Sequence, residues 1–248
     1  MILLIVGLPG AGKTALAEQL VYKINAIHLN GDEVRSGINS DLGFSGKDRV
    51  EQARRMGEMA RLLSRQGHIV VVDFVCPTNE TRDAFGKPDA FIWVDRIKQS
   101  RYEDTNQMWE DPEADLVIPD GLTIDNEVDI VISHFGLYDW SLPTALLLGR
   151  YQPWHEGHGA LRDFALQESP QAVIGVRSTY KTSEKDPLKY EEVKSYIKDK
   201  VNNPFVIRMP NITRIVYGRD VGYSIEKADL GQEIESISAT QKRKELGI

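Results

Sequence analysis

A glycine-rich turn near the amino terminus constrains this chain of 248 residues more than any other feature. The turn, Gly7–Thr14 (GLPGAGKT), follows the apolar run Ile2–Val6 and precedes a helical pattern. It fits the pattern G-x-x-x-x-G-K-[ST] in full, in the strand-to-helix context that the pattern requires. Such a turn lets backbone N–H groups surround phosphate, and the following helix adds partial positive charge. The sequence therefore predicts a triphosphate site in which Gly7, Gly10 and Gly12 shape the loop, Lys13 reaches the β- and γ-phosphates, and Thr14 ligates Mg²⁺.

Apolar strand-like runs alternate with helical patterns along the chain, which is typical of an α/β fold whose parallel sheet has helices on both faces. The pattern pauses near residues 136–142 and then restarts with a strand, a polar loop and a helix. We therefore place a domain boundary near residue 140, which gives domains 1–140 and 141–248. The expected strands are Ile2–Val6, Ile27–Leu29, Ile69–Val72, Phe91–Val94, Val128–Ile132, Ala145–Leu148, Ala172–Val176, Phe205–Met209 and Ile215–Tyr217.

The composition excludes several classes of protein. A 41% apolar and 27% charged content is that of an ordinary globular protein. Cys76 is the single cysteine, so no intramolecular disulfide can form, and a reduced cytoplasmic setting is the simplest expectation. No apolar run approaches the ~20 residues that span a bilayer. The net charge of −7 argues against a nucleic-acid partner but allows small anionic substrates. The sequence is compatible with a homo-oligomer.

Charged and aromatic residues after the second strand suggest an acceptor site. Phosphoryl transfer to a hydroxyl needs a carboxylate near that hydroxyl or near the metal. Asp32 and Asp73 both follow or end a strand, so we expect them near the metal with Thr14; the alternative for Asp32 is a helix N-cap. Arg35 and Arg49 either clamp an anionic acceptor or are solvated surface charges. Phe44 is either a core residue or a stacking platform for a base.

The stretch from Leu29 to Val72 resembles the corresponding part of adenylylsulfate kinases. Those enzymes carry a Gly-Asp-x-Val-Arg segment, a Leu-Gly-Phe-Ser segment and an Asp-Arg pair before an Arg-rich helix, in this order. With the phosphate loop, the resemblance covers about residues 1–85. It implies a P-loop kinase fold, ATP as phosphoryl donor and Mg²⁺ as cofactor. It also implies that Asp32 serves catalysis or the metal, that Arg35, Arg49 and Gln52 contact adenylylsulfate, and that Phe44 stacks on its adenine.

The chain also departs from that family. Gln52 stands where the family usually has Asn, and Asp73 stands where it generally has a small residue. The basic lid segment after the fourth strand is replaced by Arg96–Asp111. Because the lid covers nucleotide and substrate in the family, a different phosphorylated or sulfated small alcohol remains an alternative acceptor.

The second half contains a further polar loop, Gly149–His158 (GRYQPWHEGH), between an expected strand and an expected helix. Two imidazoles at a helix N-terminus, His155 and His158, can donate hydrogen bonds to triphosphate oxygens as charge develops there. The alternatives are a metal pair, which as zinc would need at least a third protein ligand, and core histidines.

The loop resembles the H-x-G-H signature of nucleotidyltransferases, and its Gly-Arg-x-Gln-Pro lead-in is similar to that of nicotinamide mononucleotide adenylyltransferases. The segment Ile237–Arg243 resembles the second motif of that superfamily, Ile-Ser-x-Thr-x-x-Arg. ATP sulfurylase belongs to it too, with a different lead-in. Asp186–Glu192 and Tyr217–Asp220 are weaker candidates. The resemblance implies a small Rossmann-like domain that binds a nucleoside triphosphate, ATP or CTP, through Gly149, Arg150, Tyr151, His155, His158, Ser238, Thr240 and Arg243.

These features together predict a bifunctional transferase: an ATP-dependent kinase acting on a small-molecule hydroxyl, and a nucleotidyltransferase that releases pyrophosphate. One alternative couples the halves, so that the kinase product is the substrate of the second domain. Another makes one half a non-catalytic nucleotide-binding regulatory module.

Overall fold

A computed structural model of the protein describes residues 1–179, 181–216, 218, 222 and 224–247. The chain divides into two compact units, Met1–Ser141 and Leu142–Ile248. In the part of the chain so described, no helix has the length and apolarity to cross a membrane.

The first unit is built on a five-stranded parallel sheet in the order β2-β3-β1-β4-β5. Its central strand β1 is buried along its whole length, as expected for a continuous apolar run that must be covered on both faces. The strands are β1 (Ile2–Val6), β2 (Ile27–Asn30), β3 (Val70–Asp73), β4 (Ala90–Asp95) and β5 (Leu116–Pro119).

Helices cover both faces of this sheet and give two hydrophobic clusters. One cluster joins alternate strand residues such as Leu3 and Ile5 to Leu16 and Val128; the other joins Leu4 and Val72 to partners that include Met56. The helices are α1 (Lys13–Ile24), α2 (Gly31–Ser36), α3 (Gly46–Arg65), α4 (Asn79–Phe85), α5 (Glu103–Met108) and α6 (Ile124–Phe135).

The sheet register brings three polar segments to one edge. Asp73 pairs with Ile5 on one side and with Asn30 on the other. Because the strands are parallel, the carboxyl ends of β1, β2 and β3 therefore lie side by side, and the turn after β1 faces the end of β3. Ligands bind at this edge in open parallel α/β sheets.

The second unit has a three-stranded parallel sheet in the order β6-β7-β8. Its core joins Leu147 and Ile174 of the sheet to Val193 and Ile197 of a helix. The elements are β6 (Thr144–Gly149), α7 (Glu156–Glu168), β7 (Gln171–Arg177), α8 (Tyr190–Lys200), β8 (Phe205–Met209), α9 (Gly231–Glu235) and α10 (Ala239–Leu246).

Two expected strands are wrong. Residues 128–132 lie inside α6, which begins after the Thr123 N-cap and ends at Gly136. Their apolar members Val128 and Val131 are three residues apart, so one helix face is enough to bury both. Residues 215 and 216 are not in a strand, and Tyr217 lies outside the described residues.

The packing of α3 on α4 predicts a destabilising glycine substitution. A Cβ at Gly57 would collide with the carbonyl oxygen of Phe85, whereas a Cβ at Gly46 meets nothing within 4 Å. Alanine favours a helix interior by roughly 0.5–1 kcal/mol, but overpacking costs roughly 1–3 kcal/mol. We expect Gly57→Ala to lower the free energy of unfolding of the first unit by about 1–2 kcal/mol in urea titrations. The matched control Gly46→Ala should be neutral or slightly stabilising; equal effects of the two would contradict the packing described.

Candidate phosphate and nucleotide sites

The turn after β1 has the backbone that phosphate binding requires. Gly10 and Gly12 have φ values of 88° and 92°, in the left-handed region that favours glycine. A Cβ at Gly7 would lie 2.6 Å from the carbonyl oxygen of Val94 on β4. The turn therefore needs glycine for its conformation at two positions and for close strand packing at a third.

Lys13 lies within this turn and not in solvent. Its residue is 8% exposed, and its Nζ donates a hydrogen bond of 3.0 Å to the carbonyl oxygen of Leu8. Burial lowers the pKa of Lys13, while the nearby carboxylates of Asp73 and Asp32 act in the opposite direction. The amine is thus held over the loop, where it can exchange a carbonyl contact for a phosphate oxygen.

Asp73 accepts hydrogen bonds from three side chains. Its Oδ2 accepts from the Thr14 hydroxyl at 2.7 Å, and its Oδ1 contacts Nε2 of His28 at 2.6 Å. The Asn30 amide donates to both oxygens at 3.1 and 3.2 Å. The Asp73 side chain is 1% exposed, so these donors replace the water that a buried carboxylate loses. The hydrogen bond from His28 to Asp73 raises the pKa of the imidazole.

The oxygen atoms of Thr14 and Asp73 suit a magnesium ion. Mg²⁺ prefers hard oxygen ligands and usually takes one or two carboxylates together with waters and substrate phosphates. Among the described residues, no cluster of three or more His, Cys, Asp or Glu side chains could hold a metal ion. Thr14 and Asp73 are the protein groups that would hold Mg²⁺ beside the phosphate loop.

Asp32 is exposed in the first turn of α2, close enough to Lys13 to act on its charge. The alternative that Asp32 is the N-cap of this helix is wrong. Asn30 is the N-cap, and its Oδ1 accepts from the backbone N–H groups of Asp32 and Glu33 at 3.0 Å each. The carboxylate of Asp32 is therefore not used in capping.

Phe44, Arg35 and Arg49 form one cluster. Phe44 is 65% exposed, and the guanidinium groups of Arg35 and Arg49 lie 4.7 and 5.8 Å from its ring centroid. Arg35 donates to the carbonyl oxygen of Gly43. Arg49 donates to the Phe44 carbonyl oxygen at 3.0 Å and to Asp104 Oδ2 at 2.9 Å. The structure thus brings the three predicted acceptor residues together, and the guanidinium of Arg49 forms an ion pair with Asp104 of α5.

Gln52 is a buried residue that contacts the backbone at the start of α2. It is 1% exposed; its Nε2 donates to the Gly31 carbonyl oxygen at 3.1 Å, and its Oε1 accepts from Asn39 at 2.8 Å. The side chain therefore fixes the turn that carries Asp32.

The loop after β6 is folded around an aromatic cluster. A Cβ at Gly149 would lie 2.7 Å from Cζ of Tyr151, so the ring of Tyr151 lies directly against this glycine. Tyr151 is 4% exposed and its hydroxyl donates to the Leu147 carbonyl oxygen at 2.7 Å. Its ring packs against Trp154 and His158 at centroid distances of 5.2 and 4.9 Å.

His155 and His158 are stacked at the start of α7, with ring centroids 3.7 Å apart. The backbone N–H of His155 donates to Nδ1 of His158 at 3.2 Å, which places the proton of a neutral His158 on Nε2. Burial, and then the neighbouring His155, lower the pKa of His158 to about 3. Burial also lowers the pKa of His155. The pair is therefore neutral near pH 7, and His158 presents an N–H donor.

The carboxyl-terminal motif lies against this loop. Arg243 donates through Nη1 to the Gln152 carbonyl oxygen at 2.8 Å and through Nη2 to the Thr240 hydroxyl at 3.1 Å. Ser238 caps α10 by accepting from the Gln241 N–H at 3.1 Å. The two motifs, distant in sequence, thus meet at one end of α7.

Asp186 and Leu188 also reach this loop. Arg150 contacts both carboxylate oxygens of Asp186 at 3.2 Å, and the Gln152 amide makes two hydrogen bonds of 2.9 Å with the backbone of Leu188. The weaker candidates Tyr217, Arg219 and Asp220 lie outside the described residues.

Comparison with known proteins agrees with the geometry of the first unit. Residues 1–90 match the family model for adenylylsulphate kinase. A curated adenylyl-sulfate kinase of Bacillus velezensis is 44% identical over 87 residues, which are 33% of this chain and 44% of that protein. The chain thus aligns with less than half the length of this relative.

A solved structure extends the comparison across the first unit. The Mycobacterium tuberculosis APS kinase CysC, in complex with AMPPNP and APS, is 26% identical, with a TM-score of 0.50. The match covers 54% of this chain and 96% of that structure. The first unit has the P-loop kinase fold.

A further match to a solved structure is weaker. A bifunctional NMN adenylyltransferase/ADP ribose pyrophosphatase from Francisella tularensis matches 28% of this chain and 22% of its own length, with 29% identity. Its TM-score of 0.25 is too low to establish a common fold.

The environment of His158 predicts how the stability of the second unit depends on pH. Its pKa is about 3 when folded and about 6.5 when unfolded, so below pH 6.5 the unfolded chain binds a proton that the folded chain rejects. Stability should fall as the pH drops from 6.5 towards 3. We expect the Hε1 NMR signal of His158 to show a neutral ring down to pH 5.

The variant His158→Gln should lose less stability than the wild type between pH 7.5 and pH 5 in urea titrations. The variant His134→Gln, at an exposed histidine of the first unit, is the control and should leave the stability of the second unit at pH 7.5 unchanged. A His158 ring that titrates near pH 6.5 would contradict the buried, stacked arrangement.

Proposed function

We propose that the first unit transfers the γ-phosphoryl group of ATP to the hydroxyl of a small anionic alcohol, with adenylylsulfate as the first acceptor to test. The observation that carries the proposal is the phosphate loop itself, with a buried Lys13 amine beside the Thr14–Asp73 pair. The match of residues 1–90 to the adenylylsulphate kinase model supports adenylylsulfate as acceptor.

Each residue of the first unit's site has a separate role in the proposed phosphoryl transfer. Loop N–H groups and Lys13 hold the β- and γ-phosphates, and Thr14 and Asp73 hold Mg²⁺, which supplies charge neutralisation on the phosphate oxygens when bound. Asp32, exposed beside Lys13, orients the acceptor hydroxyl and accepts its proton. No covalent enzyme intermediate is needed, because positioning and charge stabilisation account for most of such catalysis.

The acceptor lies, in this proposal, against Phe44, Arg35 and Arg49. Arg35 and Arg49 offer two guanidinium groups to a phosphate or sulfate, and the exposed ring of Phe44 offers a surface for a base. The changed lid segment, which includes Asp104, makes a different phosphorylated or sulfated alcohol the second candidate acceptor. Asp104 lies in the segment that stands in place of the family's lid, and it competes with an anion for Arg49.

The kinase assignment predicts a strict dependence on Lys13. With ATP, Mg²⁺ and adenylylsulfate, we expect Lys13→Met to lower the rate of ADP formation at least 100-fold, because the γ-phosphate loses its main cation. Lys87, an exposed lysine after α4, gives the matched control Lys87→Met, which should retain the wild-type rate. ADP formation by Lys13→Met at the wild-type rate would refute the site. If the wild-type chain is active only with another alcohol, the assignment of the acceptor changes and that of the phosphate loop does not.

We propose that the second unit transfers a nucleotidyl group from ATP or CTP to an anionic acceptor. The hydrogen bond from Arg243 to Gln152, in the loop that leads to His158, carries this proposal. An acceptor oxygen attacks the α-phosphorus, the bond from that phosphorus to the bridging oxygen breaks, and pyrophosphate leaves with the bond electrons. The Nε2–H of His158 and the guanidinium of Arg243 would donate to the triphosphate oxygens where charge develops.

The transferase assignment is tested by product analysis. We expect ³¹P NMR to show pyrophosphate and a dinucleotide when the chain, ATP and Mg²⁺ are mixed with nicotinamide mononucleotide, and CTP is the second donor to test. His158→Ala should lower that rate at least 100-fold and leave ADP formation by the first unit unchanged. His134→Ala is the control and should match the wild type. Equal rates for His158→Ala and wild type would refute the proposed site.

The same assays separate the two alternatives. If the reactions are coupled, the phosphorylated product of the first unit will be the preferred acceptor of the second. If one unit is a regulatory nucleotide-binding module, its variant, Lys13→Met or His158→Ala, will change only the nucleotide dependence of the other unit's reaction.

A further inference from the structure

His28 contacts Asp73, and the formation of strand β2 does not by itself require that contact. It lies in β2, the edge strand of the first sheet, and its Nε2 is 2.6 Å from Asp73 Oδ1. Its side chain is 21% exposed, so the imidazole is largely withdrawn from water. An edge strand is formed well by β-branched or aromatic residues, and a largely buried imidazole needs a partner to offset its lost hydration.

The strand register explains how His28 reaches the site. Asn30 pairs directly with Asp73, and His28 pairs with Val71. Residues two apart on a strand point to the same face, so His28 and Asn30 approach the Asp73 carboxylate from one side of the sheet. The Thr14 hydroxyl approaches the other oxygen, Oδ2, at 2.7 Å.

These contacts fix the rotation of the carboxylate. Asp73 Oδ1 accepts a hydrogen bond from His28, Oδ2 accepts one from the Thr14 hydroxyl, and the Asn30 amide donates to both oxygens. A hydroxyl that donates its proton in one direction directs its lone pairs elsewhere. The Asn30 amide also donates to the Thr14 oxygen, at 3.3 Å, so Asp73 and Asn30 together set the direction in which Thr14 presents its remaining lone pair to a cation on the phosphate loop.

We propose that His28 is a positioning residue for the magnesium site: by holding Asp73 Oδ1, it keeps Oδ2 on Thr14 and both oxygens in place for the metal–nucleotide complex. The proposal rests on the metal-dependent phosphoryl transfer proposed for the first unit. Groups that orient metal ligands in this way typically contribute 10- to 100-fold to metal affinity or activity. His28 touches neither phosphate nor acceptor in this account, so its effect passes through Asp73.

Two substitutions of equal length isolate the hydrogen bond. His28→Gln keeps an N–H donor at the end of an unbranched side chain, whereas His28→Met fills similar space without a donor. Mn²⁺ binding to the complex of the chain with AMPPNP is measured by electron paramagnetic resonance of the free ion. AMPPNP binding in EDTA is measured by calorimetry. His68→Met is the matched control, because His68 is an exposed histidine outside the site.

We expect His28→Met to weaken Mn²⁺ binding about 10- to 100-fold and to leave metal-free AMPPNP binding within about twofold of the wild type. His28→Gln should recover Mn²⁺ affinity to within about threefold, and His68→Met should be unchanged. If His28→Met does not fold, His28→Ser serves as the second donor-poor variant with the same expectation, since its hydroxyl is too short to reach Asp73.

Other outcomes overturn the proposal. Unchanged Mn²⁺ affinity in His28→Met, or an equal loss of metal-dependent and metal-free binding, would assign His28 a structural role only. A wild-type chain that binds no Mn²⁺ with AMPPNP would remove both this proposal and the kinase assignment. Normal Mn²⁺ binding without phosphoryl transfer to any alcohol would contradict the kinase assignment alone.

Discussion

The buried carboxylate of Asp73 is the interaction on which the first unit depends. A carboxylate withdrawn from water is tolerated only where donors surround it, and here they come from the phosphate loop and from β2. The same hydrogen bonds therefore hold the sheet edge together and orient Thr14 beside Lys13. The side chain at the end of β3 thus connects the edge strand β2 to the candidate metal site.

The candidate site of the second unit also contains buried polar side chains, but these are uncharged. Its loop after β6 is fixed by the ring of Tyr151 against Gly149 and by the stacked imidazoles of His155 and His158. Burial lowers the pKa of both rings and keeps them neutral near pH 7, and the backbone contact to Nδ1 of His158 leaves its Nε2–H as the donor. A neutral donor at a helix N-terminus can bind an oxyanion without a proton having to be taken up first.

The sequence reveals those parts of the structure that depend on local pattern. The phosphate loop and the strand Phe205–Met209 follow from glycine spacing and from a short apolar run, and both lie where the sequence predicts them. The sequence predicts a strand at residues 128–132, but they lie in α6, because their β-branched residues occur at a spacing that one helix face also satisfies. The strand Leu116–Pro119 is too short and too exposed to stand out.

The parts that the sequence hides depend on register between distant strands. Nothing near His28 in the chain indicates that it meets Asp73, because the contact exists only once β2 pairs with β3. Only the two-residue spacing of His28 and Asn30 could have suggested a shared face. The Arg49–Asp104 pair is hidden for a related reason, because it depends on how two helices distant in sequence lie side by side.

The most direct test is a crystal structure of the chain grown with AMPPNP and Mg²⁺. We expect the triphosphate inside the turn Gly7–Thr14, Lys13 on the β- and γ-phosphates, and the metal next to Thr14 and Asp73. A well-folded chain whose turn stays free of nucleotide at saturating AMPPNP, or a triphosphate bound elsewhere on the first unit, would contradict it.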